Sequence, residues 1–277
     1  VLGNPATGAF VSLAQATLMD ADPPQRVRNM ARWTLAGSFG YVGGPLLLVV
    51  AVYFGLGWRG AIAALAVAAL PLTLAALRFP SPQPETAPPL RRAVREALAA
   101  VRRREVLRLL LLLEAADLLL DGFHGFVALY LHDAAGQPVS TAALGVAVWT
   151  GAGLVGDWLL LPALRRTTGQ RVVRLTAFLS LGAYPAFLLV PGLGPKFALL
   201  AALGLLNSGW YAIPKAWLYE ALPDRSGAAV AVGGLGGIAG AAVPLSLGFL
   251  AGAAGIAATM WILLLAPVAL LALTSER

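Results

Sequence analysis

Glu114, Asp117, Asp121 and His124 stand three, four and three residues apart in a stretch, 106–131, in which Arg108 is the other charged residue. At about 100° per residue on an α-helix, the four side chains fall within roughly 80° of one another and form a single acidic stripe. Carboxylates this close repel when all are ionised, and a proton held among them relieves the repulsion. A group so placed can take up and release protons. The same spacing could present three acids to one divalent cation, as a membrane-embedded enzyme acting on a lipid-linked substrate would require. Without chemistry, the stripe would hydrogen-bond to neighbouring helices.

Four further polar residues interrupt apolar sequence: Asp157, Asn207, Lys215 and Glu220. Lys215 could pair with Asp157 or Glu114, or extend towards the inner membrane surface. Asn207 lies near the middle of its apolar stretch, where it could line a cavity or bond across helices. Other catalytic signatures are missing: there are two histidines, not at ligand spacing on one helix, no cysteine, no Gly-rich phosphate loop and no nucleophile elbow. The expectation is therefore a protein that is not an enzyme and has no cofactor or metal.

The elements that position these residues must cross a bilayer. Hydrophobic residues make up 59% of the 277, charged residues 12%, and mean hydropathy is +0.79. A soluble domain carries about 25% charged residues. Apolar segments at 1–18, 33–53, 60–77, 106–131, 141–164, 175–190, 197–219, 227–250 and 255–273 predict about nine spans of an all-α, polytopic helical bundle. Helix is required because lipid offers backbone groups no partner, and the period-2 pattern of a barrel strand is missing. The sixth segment is the shortest. Counted from Val106, Glu114 and Asp117 lie about 12 and 16 Å into a layer about 30 Å thick.

The net charge of +7 comes from basic residues gathered in alternate loops: Arg26 to Arg32, Arg78 to Arg108, Arg165 to Arg174, Arg225 and Arg277. The intervening loops hold only Arg59 and Lys196. Cytoplasmic loops carry the excess of Lys and Arg, so Val1 is placed outside and Arg277 inside a cell (inner) membrane. The charge marks orientation in a lipid bilayer, not a nucleic-acid surface. A cysteine introduced at Ser140 should react with a membrane-impermeant thiol reagent in intact cells, and one at Ser81 should not. The reverse labelling would invert the topology.

The longest hydrophilic stretch, 78–105, opens with Pro-rich sequence and continues as a basic amphipathic helix, Leu90 to Arg104, suited to an anionic inner surface or to a solvated linker. It divides the chain into 1–77, with three spans, and 106–277, with six. Ala16, Leu18, Ala21 and Pro23 recur as Ala216, Leu218, Ala221 and Pro223, and Asp20 recurs as Glu220. Gly-rich stretches then end at Pro45 and Pro244. Internal repeats are common in transporters, and this one matches the first span to the seventh.

With that repeat and central loop the chain resembles the major facilitator superfamily, as its fourth to twelfth helices. The resemblance implies three spans ahead of Val1. Gly40, Gly44 and Pro45 supply a G-x-x-x-G-P core like that of the family's exporters, although Ala31 and Leu48 stand where the fuller pattern has Gly. The loop from Leu164 to Arg171, with Arg165 and Arg166, looks like a degenerate copy of the family's basic loop, and Asp157 lies near it at a different spacing. The resemblance implies a secondary carrier of a small solute that works by alternating access, coupled to protons and leaning to efflux. A transport-inactive scaffold is the remaining alternative.

The residues assigned to the solute or proton pathway are Glu114, Asp117, Asp121, His124, Asn207 and Lys215. Asp157, Arg165, Arg166 and Glu220 are assigned to a cytoplasmic gate or conformational coupling. Gly40, Gly44, Pro45, Gly233 and Gly237 are assigned to close helix packing. Trp33, Trp58 and Trp217 are read as anchors at the membrane interface.

Overall fold

The computed structural model describes residues 3–78, 90–222, 230–234, 240 and 242–274, with only the backbone described for 3–10 and 90–94. Gly237, Arg225, Pro223 and the Pro-rich part of the central loop lie outside the described residues. Every regular element among the described residues is helical: α1 (Gly3–Ala21), α2 (Arg26–Tyr53), α3 (Gly57–Ala76), α4 (Leu90–Val101), α5 (Arg104–Asp117), α6 (Phe123–Leu129), α7 (Val139–Ala163), α8 (Gly169–Leu189), α9 (Leu193–Leu206), α10 (Ala212–Ala221), α11 (Ala242–Ala254), α12 (Ile256–Ile262) and α13 (Leu265–Thr274). Residues 230–234 are helical as well.

Among the described residues, five stretches are long and apolar enough to cross a membrane: Pro23–Tyr53, Gly57–Ala76, Val139–Ala163, Gly169–Leu189 and Ile256–Thr274. The fourth apolar segment is built from shorter pieces. α5 passes into a π-helical turn, Leu118–Gly122, then α6, then a second π-turn, Tyr130–Ala134. The seventh divides into α9 and α10 around residues 207–211, where Gly209 takes φ 84°. A side chain on that backbone would be strained, so glycine sets the position of the break.

The sixth helix begins at Gly169 rather than at 175, because the Thr168 hydroxyl accepts from the Arg171 amide at 3.4 Å and caps it. Arg171 and Arg174 therefore belong to its first turns. Gly169 itself permits close packing: a Cβ there would lie 2.7 Å from the Ile213 side chain on α10.

The core lies mainly among α5 to α13. Phe123 sits edge-on to Trp149, Tyr184 and Phe187, with ring centroids 5.5, 5.7 and 5.6 Å away. Each such pair contributes about 0.5–1.5 kcal/mol beyond the area it buries. Two buried aromatic side chains are also bonded: Tyr184 donates to the Met260 carbonyl at 2.7 Å, and Trp210 to the Thr176 hydroxyl at 2.8 Å. Lys196 is buried at the end of α8, donating to the carbonyls of Phe187 at 2.6 Å and Leu188 at 3.3 Å. A cation there satisfies carbonyls left open by the helix terminus.

The small-residue contact is between α7 and α9. A Cβ at Gly204 would meet the Trp149 carbonyl, with Ala152 Cβ at 3.0 Å and the Gly153 amide at 3.1 Å. At Gly156 it would meet the Ser208 hydroxyl and the Leu205 backbone. Among the described residues, none approaches within 4 Å of a Cβ at Gly40 or Gly44, and Pro45 is exposed. The spacing makes a smooth stripe, but packing needs a helix facing it, and among the described residues the facing pair is α7 with α9. Gly233 leaves room for the Lys215 ammonium, 3.0 Å from where its Cβ would be.

Candidate functional site

α2 brings one polar face to the centre of the bundle. Trp33, Thr34, Gly37, Ser38 and Tyr41 recur at the three- and four-residue spacing of one helix face, and all five line a cavity of about 700 Å³. Asp117, Asp121 and His124 face it from the interrupted fourth segment, and Trp149 and Asp157 from α7. Asn207, Ser208 and Gly209 of the helix break complete the wall. Its volume falls within the roughly 300–1,000 Å³ of small-molecule sites.

The π-turn governs how the acids are presented. Its i→i+5 bonding gives more than four residues per turn, so side chains four apart come closer to alignment than on an α-helix. Asp117 and Asp121 thus share the cavity wall. Glu114 is separated from them: its carboxylate occupies the position that a Cβ on Gly240 would take, and it does not line the cavity. The stripe is therefore divided, with Asp117, Asp121 and His124 on the cavity and Glu114 turned towards residue 240. His124 lies between aromatic rings, 6.2 Å from Tyr41 and 5.4 Å from Trp149.

Asp157 is buried and accepts a 2.5 Å hydrogen bond from Ser38, joining α7 to α2. This separates it from Arg165 and Arg166, which are exposed beyond the end of α7. Asp157 belongs to the cavity rather than with the basic loop. Glu220 is exposed in the last turn of α10. Lys215 stands one turn from Tyr211, with its ammonium 5.9 Å from that ring, and it interacts electrostatically with Asp117.

Asn207 is 4% exposed, and neither its side-chain oxygen nor its nitrogen has a partner among the described residues. The indole N–H of Trp149 is likewise buried and unpaired. Buried polar atoms are nearly always bonded, so these two side chains on the cavity wall are exceptions. The break that carries Asn207 belongs to the same description, because non-helical backbone at membrane depth is tolerated where it lines a cavity.

Sequence reasoning missed Gln15, Trp33, Ser38 and Tyr41, although the α2 face was legible as a polar and aromatic stripe. Gln15 is buried and donates to the Tyr211 hydroxyl at 3.4 Å, tying α1 to α10. Trp33 lines the cavity and Trp217 is 6% exposed, so neither is an interface anchor. Trp58 is exposed, with the Arg59 guanidinium 4.5 Å above its ring. Among the described residues no three His, Asp or Glu are placed to share a metal ion.

Residues 6–212 match the family model described as Major Facilitator Superfamily. The fold is similar to the crystal structure of a Major Facilitator Superfamily transporter, FucP, in the outward conformation. The TM-score is 0.70 at 15% identity, covering 95% of this chain and 71% of that one. At that identity the likeness is one of fold. No curated protein matches the sequence. With three-quarters of its length matched to one family, and the helical bundle of that family's transporters, this chain belongs to the Major Facilitator Superfamily, whose members move small solutes across membranes.

Proposed function

We propose that the chain forms the solute pathway of a proton-coupled secondary transporter, with the cavity as the solute site and Asp117 and Asp121 as its proton-exchanging groups. The observation that carries this reading is their position on a cavity wall beside a broken helix. Ionisable groups inside a membrane bundle are costly unless they face water, a partner or a substrate. Alternating access would rock the helices of 1–77 against those of 106–277, with 78–105 as the cytoplasmic linker. The Ser38–Asp157 bond between α2 and α7 would then break and re-form in each cycle. The N-terminus is read as outside and the C-terminus as cytoplasmic, in the inner membrane. The G-x-x-x-G-P core of α2 favours efflux.

Proteoliposomes holding the chain and an interior pH dye test this reading. With a panel of amines, sugars and carboxylates, at least one solute should discharge an imposed pH gradient, and empty vesicles should not respond. Solute flux indifferent to the gradient, or no flux from any class, overturns the proposal.

A further inference from the structure

The ionisable side chains on the cavity wall are mostly acids. Asp117, Asp121 and Asp157 line it, and among the described residues no Lys or Arg does. Lys215 opposes Asp117 and His124 opposes Asp121, so three carboxyl groups on this wall meet two basic side chains and the acids remain in excess. An anionic solute would add a like charge to a low-dielectric site where repulsion is poorly screened. Aromatic rings are the second component. Trp33, Tyr41, Trp149 and Tyr211 stand around the acids, and ring faces attract cations most strongly where both are desolvated. The third is the side chain of Asn207, 4% exposed, whose amide nitrogen and oxygen both lack a partner among the described residues. A site of this composition matches a charged amine head among carboxylates and rings, an apolar body against Leu120 and Leu154, and a polar substituent at Asn207.

We infer that the solute is a monovalent organic cation of this kind, an inference that rests on the cavity being the solute site. Its head would lie against Asp121 and the aromatic rings, while Asp117, already opposed by Lys215, is left to exchange protons. Cation and proton then compete for neighbouring carboxylates in one cavity, which is the arrangement of an exchanger.

Equilibrium binding to the purified full chain in lipid nanodiscs separates this inference from the transport reading. Three probes suffice: benzyltrimethylammonium, whose charge does not change with pH, methyl β-glucoside as a neutral polar solute, and benzenesulfonate as an anion. Benzyltrimethylammonium should bind saturably and quench tryptophan fluorescence, and the other two should not. Asp121→Asn should weaken its binding at least tenfold with an unchanged melting curve. Because a variant can fail for structural reasons, Asp133→Asn is paired with it: Asp133 is an exposed acid outside the cavity, and this variant should bind the probe as wild type does. Saturable binding without gradient-driven flux would uphold the inference and refute the transport reading. The inference is overturned if glucoside or sulfonate binds as tightly as the cation, if folded Asp121→Asn binds it unchanged, or if the pH gradient is discharged only by sugars or carboxylates.

Discussion

Asp117→Asn should abolish pH-driven solute movement while leaving exchange of solute across the membrane partly intact. Asparagine mimics the neutral acid at nearly the same volume, so the cavity keeps its shape but loses a group that can release a proton. The groups bearing on this position are Glu114, Asp121 and His124 on its own segment, Lys215 and Tyr211 at α10, and Asp157 across the cavity on α7. A gradient of one pH unit stores about 1.4 kcal/mol per proton, enough for roughly tenfold accumulation when one proton is coupled. Wild-type proteoliposomes should approach that ratio, and the variant should stay near unity whether or not the gradient is imposed. Glu114→Gln should behave more like wild type, because Glu114 faces residue 240 and not the cavity. Uphill transport by Asp117→Asn at the wild-type level would make this aspartate structural.

Gly204→Ala should be the most damaging of the single-methyl substitutions at these glycines, and Gly40→Ala should be nearly silent for stability. The methyl at 204 would collide with the Trp149 carbonyl and press on Ala152 and the Gly153 amide. Two of these are backbone groups within a helix, which cannot rotate away as a long side chain can. Overpacking of this kind costs about 1–3 kcal/mol and separates α7 from α9. The same helices carry Trp149 and Asp157, with Asn207 just beyond α9, so loosening them also widens the cavity. At residue 40 a methyl meets no described residue within 4 Å. Melting of each detergent-purified variant, followed by loss of the monodisperse peak, provides the comparison. Equal melting of the two variants would show that the α7–α9 contact does not limit stability.

The membrane class and the run of helices were legible in the sequence, because lipid imposes a requirement that every segment meets separately: apolar length and internal bonding. The acidic stripe was legible for a similar reason, since the angle between residues three and four apart is a property of one helix. The polar face of α2 carried the same kind of signal. Tertiary structure decided which of these faces meet. It divided the stripe, keeping Asp117 and Asp121 on the cavity and turning Glu114 away, through a π-turn and a neighbour at residue 240. It brought Ser38 to Asp157 across more than a hundred residues of sequence, and so moved Asp157 from the basic loop to the cavity. It placed a close small-residue contact at Gly156 and Gly204, which lie on different helices and share no spacing along one of them. It also left the Asn207 side chain without a partner among the described residues, on the cavity wall. Hydropathy and helix angle are determined along one chain segment, whereas a cavity, a hydrogen bond between helices and a packed glycine each depend on the position of a second segment that local sequence does not specify.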